Sequence, residues 1–276
     1  MRPPFPYFGG KVGIADAVVA ALPPHAIYVE PYAGSAAVLL AKPPARQEIL
    51  NDRNQAIVTF FRVLRDRPGD LEVALRLTPY ARDEYLACRL DEPDLGDLEV
   101  ARRFFVRSTQ SVAGIVEART TWSTTGSPKV SPASSNQARI GRLHALAARL
   151  AGVVIDNRDA LDALELYAAR PDAVVYADPP YLAGTRAGAG GYHHDAPDVE
   201  HHQRLADALQ ACPGFVVVSG YPSPLYDDLY EGWRRIEIAT IHRGGRGEKS
   251  GRTEVLWLNR PVDEGRLPFA REGEAS

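Results

Sequence analysis

The sequence predicts an α/β protein built on a doubly wound, mostly parallel sheet of seven strands, with an inserted helical subdomain. Short apolar or β-branched runs recur along the chain and are separated by segments of helical periodicity, a pattern typical of strands joined by crossover helices. Several runs, such as residues 215–218, are continuously apolar, which indicates strands covered on both faces.

The predicted strands are distributed unevenly along the chain. They lie at residues 26–29, 47–50, 153–155, 173–177, 215–218, 236–238 and 254–258. The last two runs alternate between apolar and polar residues, which favours an antiparallel pair at one edge of the sheet.

The long stretch between the second and third strands has no run of this kind. Helical periodicity occurs at residues 54–65, 82–89, 98–108 and 137–150, and residues 120–135 are rich in Ser, Thr, Gly and Pro. We therefore predict a sheet domain formed by residues 1–54 and 151–262, an inserted helical subdomain at 55–150, and a flexible tail at 263–276.

Composition limits the class of protein. A chain of 276 residues with 45% hydrophobic residues can bury a full α/β core. No apolar run approaches the roughly 18 residues of a membrane span, and the N-terminus lacks the apolar core of a secretory signal, so we expect a cytoplasmic protein without membrane association. The net charge of −3 argues against a nonspecific basic coat but leaves room for a local basic groove.

Cysteine and histidine positions do not favour a metal site. Cys88 and Cys212 are far apart in sequence and fit neither a disulfide framework nor a thiolate site. Histidines occur in adjacent pairs at 193–194 and 201–202, and Pro197 separates the pairs ahead of a capped helix start at Asp198. We therefore predict no bound metal.

The most informative motif is Asp178-Pro179-Pro180-Tyr181, which directly follows the apolar run at 173–177. Ligands of open α/β sheets bind beyond the carboxyl ends of the strands. There, the Asp178 carboxylate and the Pro179 carbonyl can accept two hydrogen bonds from an exocyclic amino group, and the Tyr181 ring can stack on a planar base. These properties suit an enzyme that methylates an amino group of a nucleobase.

A second motif follows the first strand. Glu30-Pro31-Tyr32-Ala33-Gly34-Ser35 precedes an apolar helix start, where a doubly wound fold forms its first ligand loop. The three-glycine dinucleotide fingerprint and the Lys-Ser/Thr pair of nucleotide triphosphate sites are both missing, which disfavours a phosphate ligand. Asp52 ends the second strand and can either accept from two ribose hydroxyls or cap the next helix. A ribose without a phosphate cradle indicates an adenosyl cofactor such as S-adenosylmethionine.

Five motifs in this order resemble those of the Dam family of adenine-specific (N6) DNA methyltransferases of phage and bacterial type, and the resemblance covers nearly the whole chain. They are Pro6-Tyr7-Phe8-Gly9-Gly10-Lys11, Tyr28-Val29-Glu30-Pro31-Tyr32-Ala33-Gly34-Ser35, Asn51-Asp52-Arg53-Asn54, Asn157-Arg158-Asp159-Ala160-Leu161 and Asp178-Pro179-Pro180-Tyr181. The chain carries Tyr32 and Ala36 where the commoner first loop of the family has Phe and Gly.

The resemblance implies the S-adenosylmethionine-dependent methyltransferase fold, with residues 1–54 and 151–262 as the catalytic domain. It implies that Asp178, Pro179, Pro180 and Tyr181 grip the target base. Asp52 would hold the ribose, and Asp159 would accept from the adenine amino group of the cofactor while also capping the helix that follows. The full set assigned to the cofactor is Tyr7, Lys11, Glu30, Pro31, Gly34, Ser35, Asp52 and Asp159.

The inserted helices at 55–150 are the expected target-recognition region for double-stranded DNA. Its polar and basic residues can read base edges or hold phosphates, and a second basic group lies in the glycine-rich stretch near residue 250. The latter stretch fits a plain hairpin connection equally well. The residues assigned to DNA are Arg119, Trp122, Lys129, Asn136, Arg243, Arg246, Lys249 and Arg252.

Other activities remain open at this point. The same motifs suit methylation of cytosine N4 or of RNA, and a noncatalytic DNA-binding relative is the nonenzymatic alternative. The carboxylate of Asp178 argues against the relatives that carry Asn there and modify protein glutamine. A cognate restriction endonuclease is a candidate partner, and we expect a monomer or weak dimer.

Overall fold

The computed structural model describes residues 1–116, 122–124, 130–180, 199–243 and 249–262. Seven strands occur in this part of the chain, and all seven overlap the predicted runs. They are β1 (Ile27–Glu30), β2 (Gln47–Asn51), β3 (Val153–Asp156), β4 (Ala173–Ala177), β5 (Phe215–Gly220), β6 (Arg234–Arg243) and β7 (Lys249–Leu258). The predicted tail at 263–276 lies outside the described residues.

The strands form a single sheet in the order β3-β2-β1-β4-β5-β7-β6. Strands β1 to β5 are parallel, whereas β7 runs antiparallel to both β5 and β6. The predicted fold class is confirmed, including the antiparallel pair at the edge. Because β1 and β4 are neighbours at the point where the strand order reverses, their carboxyl ends form the switch point at which such sheets bind ligands.

Eleven α-helices are found in the described residues, and six of them lie between β2 and β3. They are α1 (Ala15–Ala21), α2 (Ala37–Ala41), α3 (Gln55–Asp66), α4 (Pro68–Arg76), α5 (Arg82–Ala87), α6 (Asp97–Gln110), α7 (Pro132–Ile140), α8 (Leu143–Leu150), α9 (Ala160–Tyr167), α10 (Val199–Gln210) and α11 (Pro224–Leu229). A short 3-10 helix at Lys11–Gly13 precedes α1. No helix of the described residues is both long and apolar enough to span a bilayer.

Two hydrophobic layers cover the sheet, since successive strand residues point to opposite faces. Tyr28 and Tyr176 lie in the layer formed with α1 to α4, α6 and α8. Val29 and Val175 lie in the other layer, which is formed with α9, α10 and α11. Both layers therefore support the strand ends at the switch point.

The inserted helices share the first layer with the sheet. Phe5 of the N-terminal segment packs edge-on against Phe60 of α3 and Phe104 of α6, with ring centroids 5.0 and 4.9 Å apart. Leu146 and Leu150 of α8 belong to the same hydrophobic cluster. Helices α3 and α8 thus act as covering helices of the sheet, and the division at residues 55 and 150 stays a prediction.

Two helical predictions need correction. Helix α4 was not predicted, because only Arg67 separates it from α3 and Pro68 at its first turn resembles a helix stop. The single predicted helix at 137–150 is two helices. The first begins at Pro132, where the Ser131 hydroxyl accepts from the Ser134 amide, and ends at the turn formed by Gly141 and Arg142.

Candidate active site

The loop after β1 begins at a buried carboxylate. Glu30 is 2% exposed, and its Oε1 accepts from the Tyr28 hydroxyl at 2.6 Å and from the Leu39 amide at 2.7 Å. Burial raises the pKa of Glu30 to about 7, although both hydrogen bonds act in the opposite direction. Glu30 thus joins the end of β1 to α2 and can change its charge near neutral pH.

Gly34 supplies the close approach that this loop needs. It has φ +47°, and an added Cβ would lie 3.1 Å from the Tyr7 ring. Gly10 contacts the same loop, since its own added Cβ would lie 3.5 Å from the Ser35 hydroxyl. The N-terminal motif and the first ligand loop are therefore packed together.

Ala36, which stands where the commoner family loop has Gly, lies in a backbone conformation that glycine favours. It caps the start of α2 with φ 56° and ψ 36°, which is left-handed backbone that glycine adopts without cost. The residue is fully buried. The chain thus retains the loop conformation that favours Gly, at a backbone cost of about 1 kcal/mol for an alanine.

Asp52 connects the loops that follow β1 and β2. Its Oδ2 accepts from the Gly34 amide at 2.9 Å, and its Oδ1 accepts from the Asn54 amide at 2.8 Å. Asn54 caps α3 by accepting from the Ala56 amide. Asp52 is therefore not the cap itself but binds the amide of the capping residue. An ionised carboxylate has about four acceptor positions, so both amide bonds are compatible with two ribose hydroxyls.

Asn51 ties three strand ends together, a role that the sequence analysis missed. The side chain is fully buried; its Nδ2 donates to the Pro31 carbonyl at 3.0 Å and to the Arg158 carbonyl at 3.2 Å. Its Oδ1 accepts from the Arg158 amide at 2.9 Å. The sequence signal for this role was an Asn at the end of a buried strand, directly before Asp52.

Asp159 lies after β3 and caps α9, because its Oδ1 accepts from the Leu161 amide at 3.0 Å. The predicted cap is confirmed, and the adenine contact stays a prediction. Burial, followed by the charge of Asp159, raises the pKa of Tyr32, whose hydroxyl lies 3.2 Å from Nε2 of His201. Tyr32 therefore remains protonated beside the candidate adenine position.

Asp178 follows β4 and is held by two side chains from other parts of the chain. Lys11 Nζ and the Ser219 hydroxyl each lie 2.9 Å from Oδ1 of Asp178. Lys11 also donates to the Gly9 carbonyl at 2.7 Å and is itself buried. Pro179 is buried and Pro180 half-buried, whereas Tyr181 lies outside the described residues. Neither the bond from Lys11 nor the bond from Ser219 was predicted.

The candidate cofactor loop and the candidate base-binding motif begin at the ends of neighbouring strands. Val29 pairs with Val175, so Glu30 lies one residue beyond this pair on β1, whereas Asp178 lies three residues beyond it, directly after the end of β4. Burial is the largest cause of the raised pKa of Glu30. The hydrogen bonds from Tyr28 and Leu39 and the charge of Lys42 lower this pKa, and the charge of Asp178 raises it by a smaller amount. The two carboxyl groups therefore belong to the same strand-end edge of the sheet.

Two of the residues predicted to contact DNA, Trp122 and Asn136, lie between β2 and β3. Trp122 Nε1 donates to Gln110 Oε1 at 3.2 Å, and its ring centroid lies 6.0 Å from that of Tyr80. Asn136 is 7% exposed and donates to the Thr109 hydroxyl at 3.0 Å. In this conformation both residues brace the helical insertion, and their contact with DNA stays a prediction.

The remaining predicted DNA contacts lie in or beside segments that the structure does not describe. Arg119, Lys129 and Arg246 fall outside the described residues. Arg243 ends β6, while Lys249 and Arg252 lie in β7. The two strands pair antiparallel up to Arg243 and Lys249, and the predicted hairpin connection falls at residues 244–248, outside the described residues. Among the described residues no cluster of three or more His, Cys, Asp or Glu could hold a metal ion.

The strand order, the acidic residues at the ends of β1 and β2, and the motif after β4 fit a methyltransferase that uses S-adenosylmethionine. The model of the D12 class N6 adenine-specific DNA methyltransferases matches residues 7–243. The chain belongs to this family, and it is accordingly an adenine-specific DNA methyltransferase, as the resemblance implied.

A search of the curated proteins found no match. The structure is similar to precorrin-6y C5,15-methyltransferase from Geobacter metallireducens GS-15, with 12% sequence identity, a TM-score of 0.37, and coverage of 90% of this chain and 86% of that chain. At that TM-score the likeness carries no argument about fold or activity.

Proposed function

We propose that this protein methylates N6 of adenine at specific sites in double-stranded DNA, after flipping the target base out of the helix. The observation that carries the proposal is the carboxylate of Asp178, which Lys11 and Ser219 hold at the end of β4. This carboxylate lies beside the end of β1, where Glu30 begins the candidate cofactor loop.

The residues around the first loop fit S-adenosylmethionine. Gly34 and Tyr7 form a close-packed wall, and Ser35 and Pro31 belong to the same loop. Asp52 can accept from the ribose hydroxyls, Asp159 from the adenine amino group, and Glu30 can face the methionine amino group. When bound, the cofactor supplies an electrophilic methyl group on a sulfonium.

Lys11 contributes to both pockets. Its backbone follows Gly10, which packs on Ser35, whereas its ammonium contacts Asp178. We assigned Lys11 to the cofactor from the sequence, and the contact with Asp178 adds a role at the target base. The buried ammonium places a positive charge 2.9 Å from the oxygen of the carboxylate that is to accept the target amino hydrogens.

The reaction needs alignment more than it needs acid or base chemistry. The target nitrogen must lie in line with the methyl carbon and its leaving sulfur, and its lone pair must be withdrawn from the purine ring. Asp178 and the Pro179 carbonyl accept the two amino hydrogens, which favours a tetrahedral nitrogen and stabilises the positive charge that develops on it. One proton leaves the nitrogen after methyl transfer.

Base flipping follows from the position of the site. The amino group of a paired adenine cannot reach a pocket at the end of a buried strand, so the base must leave the stack. Stacking on Tyr181, by analogy with single-strand binders, would recover about 1–3 kcal/mol of that cost. The cation set of Arg119, Lys129, Arg243, Arg246, Lys249 and Arg252 would neutralise phosphates, and Trp122 and Asn136 belong to the recognition region.

The test is methyl transfer from labelled S-adenosylmethionine to duplex DNA, followed by identification of the modified nucleoside. We expect N6-methyladenine, and we expect Asp178→Ala to lower the rate at least 100-fold while cofactor binding is retained. Asp172→Ala is a matched control, because the exposed Asp172 precedes β4 at the opposite end of the strand. Label in N4-methylcytosine, or transfer to RNA alone, would contradict the proposal.

Unchanged transfer by Asp178→Ala would refute the role of the carboxylate.

Duplexes that differ from an efficient substrate at single base pairs would reveal the recognised sequence. Each mismatched pair is expected to reduce binding by about 1–3 kcal/mol at recognised positions and by little elsewhere. Equal methylation of every adenine context would contradict site specificity.

A further inference from the structure

A buried serine lies directly behind the candidate catalytic carboxylate. Ser219 is the fifth residue of β5, and its side chain is fully buried. Its hydroxyl lies 2.9 Å from Oδ1 of Asp178 and 2.9 Å from the hydroxyl of Tyr176. Ser219 is therefore the middle member of a chain of three polar groups.

The direction of this chain follows from donor counting. An ionised carboxylate only accepts hydrogen bonds, and a serine hydroxyl has a single hydrogen to donate. Ser219 donates that hydrogen to Asp178, so the Tyr176 hydroxyl must donate to Ser219. Burial, followed by the nearby charge of Asp178, raises the pKa of Tyr176 well above its usual value, which keeps the phenol protonated as a donor.

The sheet geometry brings these groups together. Tyr176 and Asp178 are two residues apart and project to the same face, as do Val217 and Ser219 on the neighbouring strand. Tyr176 pairs with Val217 in the parallel register of β4 and β5. Side chains on this face are buried against the first hydrophobic layer, which excludes water from Tyr176 and Ser219.

The Ser219 bond acts on the same oxygen as the bond from Lys11. Both groups lie 2.9 Å from Oδ1, and they approach from different elements: Lys11 from the N-terminal 3-10 helix and Ser219 from β5. Two donors on one oxygen fix the rotation of the carboxylate about its Cβ–Cγ bond. In a low-dielectric setting a hydrogen bond to a charged group is stronger than the same bond in water.

We propose that Ser219 is a positioning residue for methyl transfer, which orients the Asp178 carboxylate toward the target amino group with Tyr176 as its supporting donor. The inference rests on the role of Asp178 in the proposed function. Ser219 itself contacts neither the target base nor the cofactor in this account; it acts through Asp178. Its loss should therefore affect the methyl-transfer step rather than ligand binding.

The first variant is Ser219→Ala, assayed by single-turnover methyl transfer with saturating S-adenosylmethionine and duplex DNA. We expect the rate constant to fall about tenfold or more, since a hydrogen bond to a charged group is lost. The KM values for cofactor and DNA should stay within about twofold of wild type. Tyr176→Phe should cause a smaller loss, because the bond from Ser219 to Asp178 remains.

A matched pair separates positioning from packing. Ser219→Thr and Ser219→Val add nearly the same bulk to a fully buried site, but only threonine keeps the hydroxyl. We expect the Thr variant to transfer methyl groups about tenfold faster than the Val variant. Equal rates for the two would overturn the inference, because packing alone would then account for the effect.

Two other results would also overturn it. One is a Ser219→Ala rate within twofold of wild type; the other is a variant whose loss lies entirely in KM. A wild-type enzyme that transfers no methyl group to DNA would overturn the proposed function, and this inference with it. An active wild type with an equally active Ser219→Ala variant would overturn the inference alone.

Discussion

Polar side chains are used differently at the two halves of the strand-end edge. At the cofactor-side edge, formed by the ends of β1, β2 and β3, Asn51 and Asp52 bond to backbone amides and carbonyls of neighbouring loops. At the base-side edge, formed by the ends of β4 and β5, the side chains of Lys11 and Ser219 bond to the carboxylate of Asp178.

The difference follows from what the proposed function requires each edge to hold. An adenosyl cofactor contacts several loops at once, so those loops must keep fixed backbone positions, which buried side chain to backbone bonds provide. The target amino group is a single small donor of two hydrogen bonds, so one oriented carboxylate together with the Pro179 carbonyl suffices to hold it. Changes at the cofactor-side edge should therefore alter stability and cofactor affinity, whereas changes at the base-side edge should alter the rate.

The largest effect on stability is expected for Asn51→Ala. This change removes three hydrogen bonds and leaves the carbonyls of Pro31 and Arg158 without this donor. At about 1 kcal/mol for each bond, we expect the free energy of unfolding to fall by about 3 kcal/mol. Denaturant unfolding measures this change, and calorimetric titration of S-adenosylmethionine should show weaker binding.

Asn157→Ala provides the comparison within the same edge. Asn157 also donates to backbone carbonyls, those of Asp52 and Arg53, but its side chain is exposed. Water can replace its bonds, so the free energy of unfolding should fall by less than about 1 kcal/mol. If the free energy of unfolding fell equally in the two variants, burial would not be the reason that Asn51 contributes to stability.

Glu30 gives the cofactor-side edge a pH dependence. Burial raises its pKa from 4.5 to about 7, so between these pH values the folded protein keeps a proton that the unfolded chain has released. The stabilisation from the protonated group is complete below pH 4.5 and is lost as pH rises through 7. The shift corresponds to roughly 3 kcal/mol of unfolding free energy across this window.

Glu30→Gln should remove that dependence, because the amide keeps an acceptor for Tyr28 and Leu39 but does not ionise. The test compares the unfolding free energies of wild type and variant at intervals between pH 5 and 8. Glu48→Gln is the control: burial would raise the pKa of Glu48, but bonds from Arg149 and Lys42 outweigh burial and lower it. Parallel wild-type and Glu30→Gln curves would contradict the prediction.

Much of the fold could be predicted because strands and caps leave local signals. The run at Ala173–Ala177 was predicted with its observed bounds, and its continuous apolar character reflects burial on both faces. Asp159 was predicted as a cap because a short acceptor side chain directly precedes an apolar helix start. Such signals depend on neighbouring residues alone.

The rest depends on which strands become neighbours. The insertion of β7 between β5 and β6 leaves no mark in either sequence run. Likewise the bond from Ser219 to Asp178 requires the register of β4 with β5, and the contact of Lys11 with Asp178 requires the N-terminal segment to cross the switch point. Local patterns therefore identified Asp178 but not the groups that hold it.

A small effect on stability is expected at Asp159, which caps α9 and is also assigned to cofactor binding. Asp159→Ala removes the cap on α9 and should lower the free energy of unfolding by about 1 kcal/mol. Asp159→Asn retains an acceptor oxygen, so it should preserve the cap. Thermal unfolding of both variants checks this difference.

Cofactor affinity then separates the two roles of Asp159. If the carboxylate accepts from the adenine amino group, Asp159→Ala should bind S-adenosylmethionine several-fold more weakly, whereas S-inosylmethionine, which lacks that amino group, should bind both proteins equally. Equal affinity of wild type and Asp159→Ala for S-adenosylmethionine would restrict Asp159 to capping. The Asp159 side chain would then serve only to hold backbone groups of the cofactor-side edge in place, as the Asn51 side chain does.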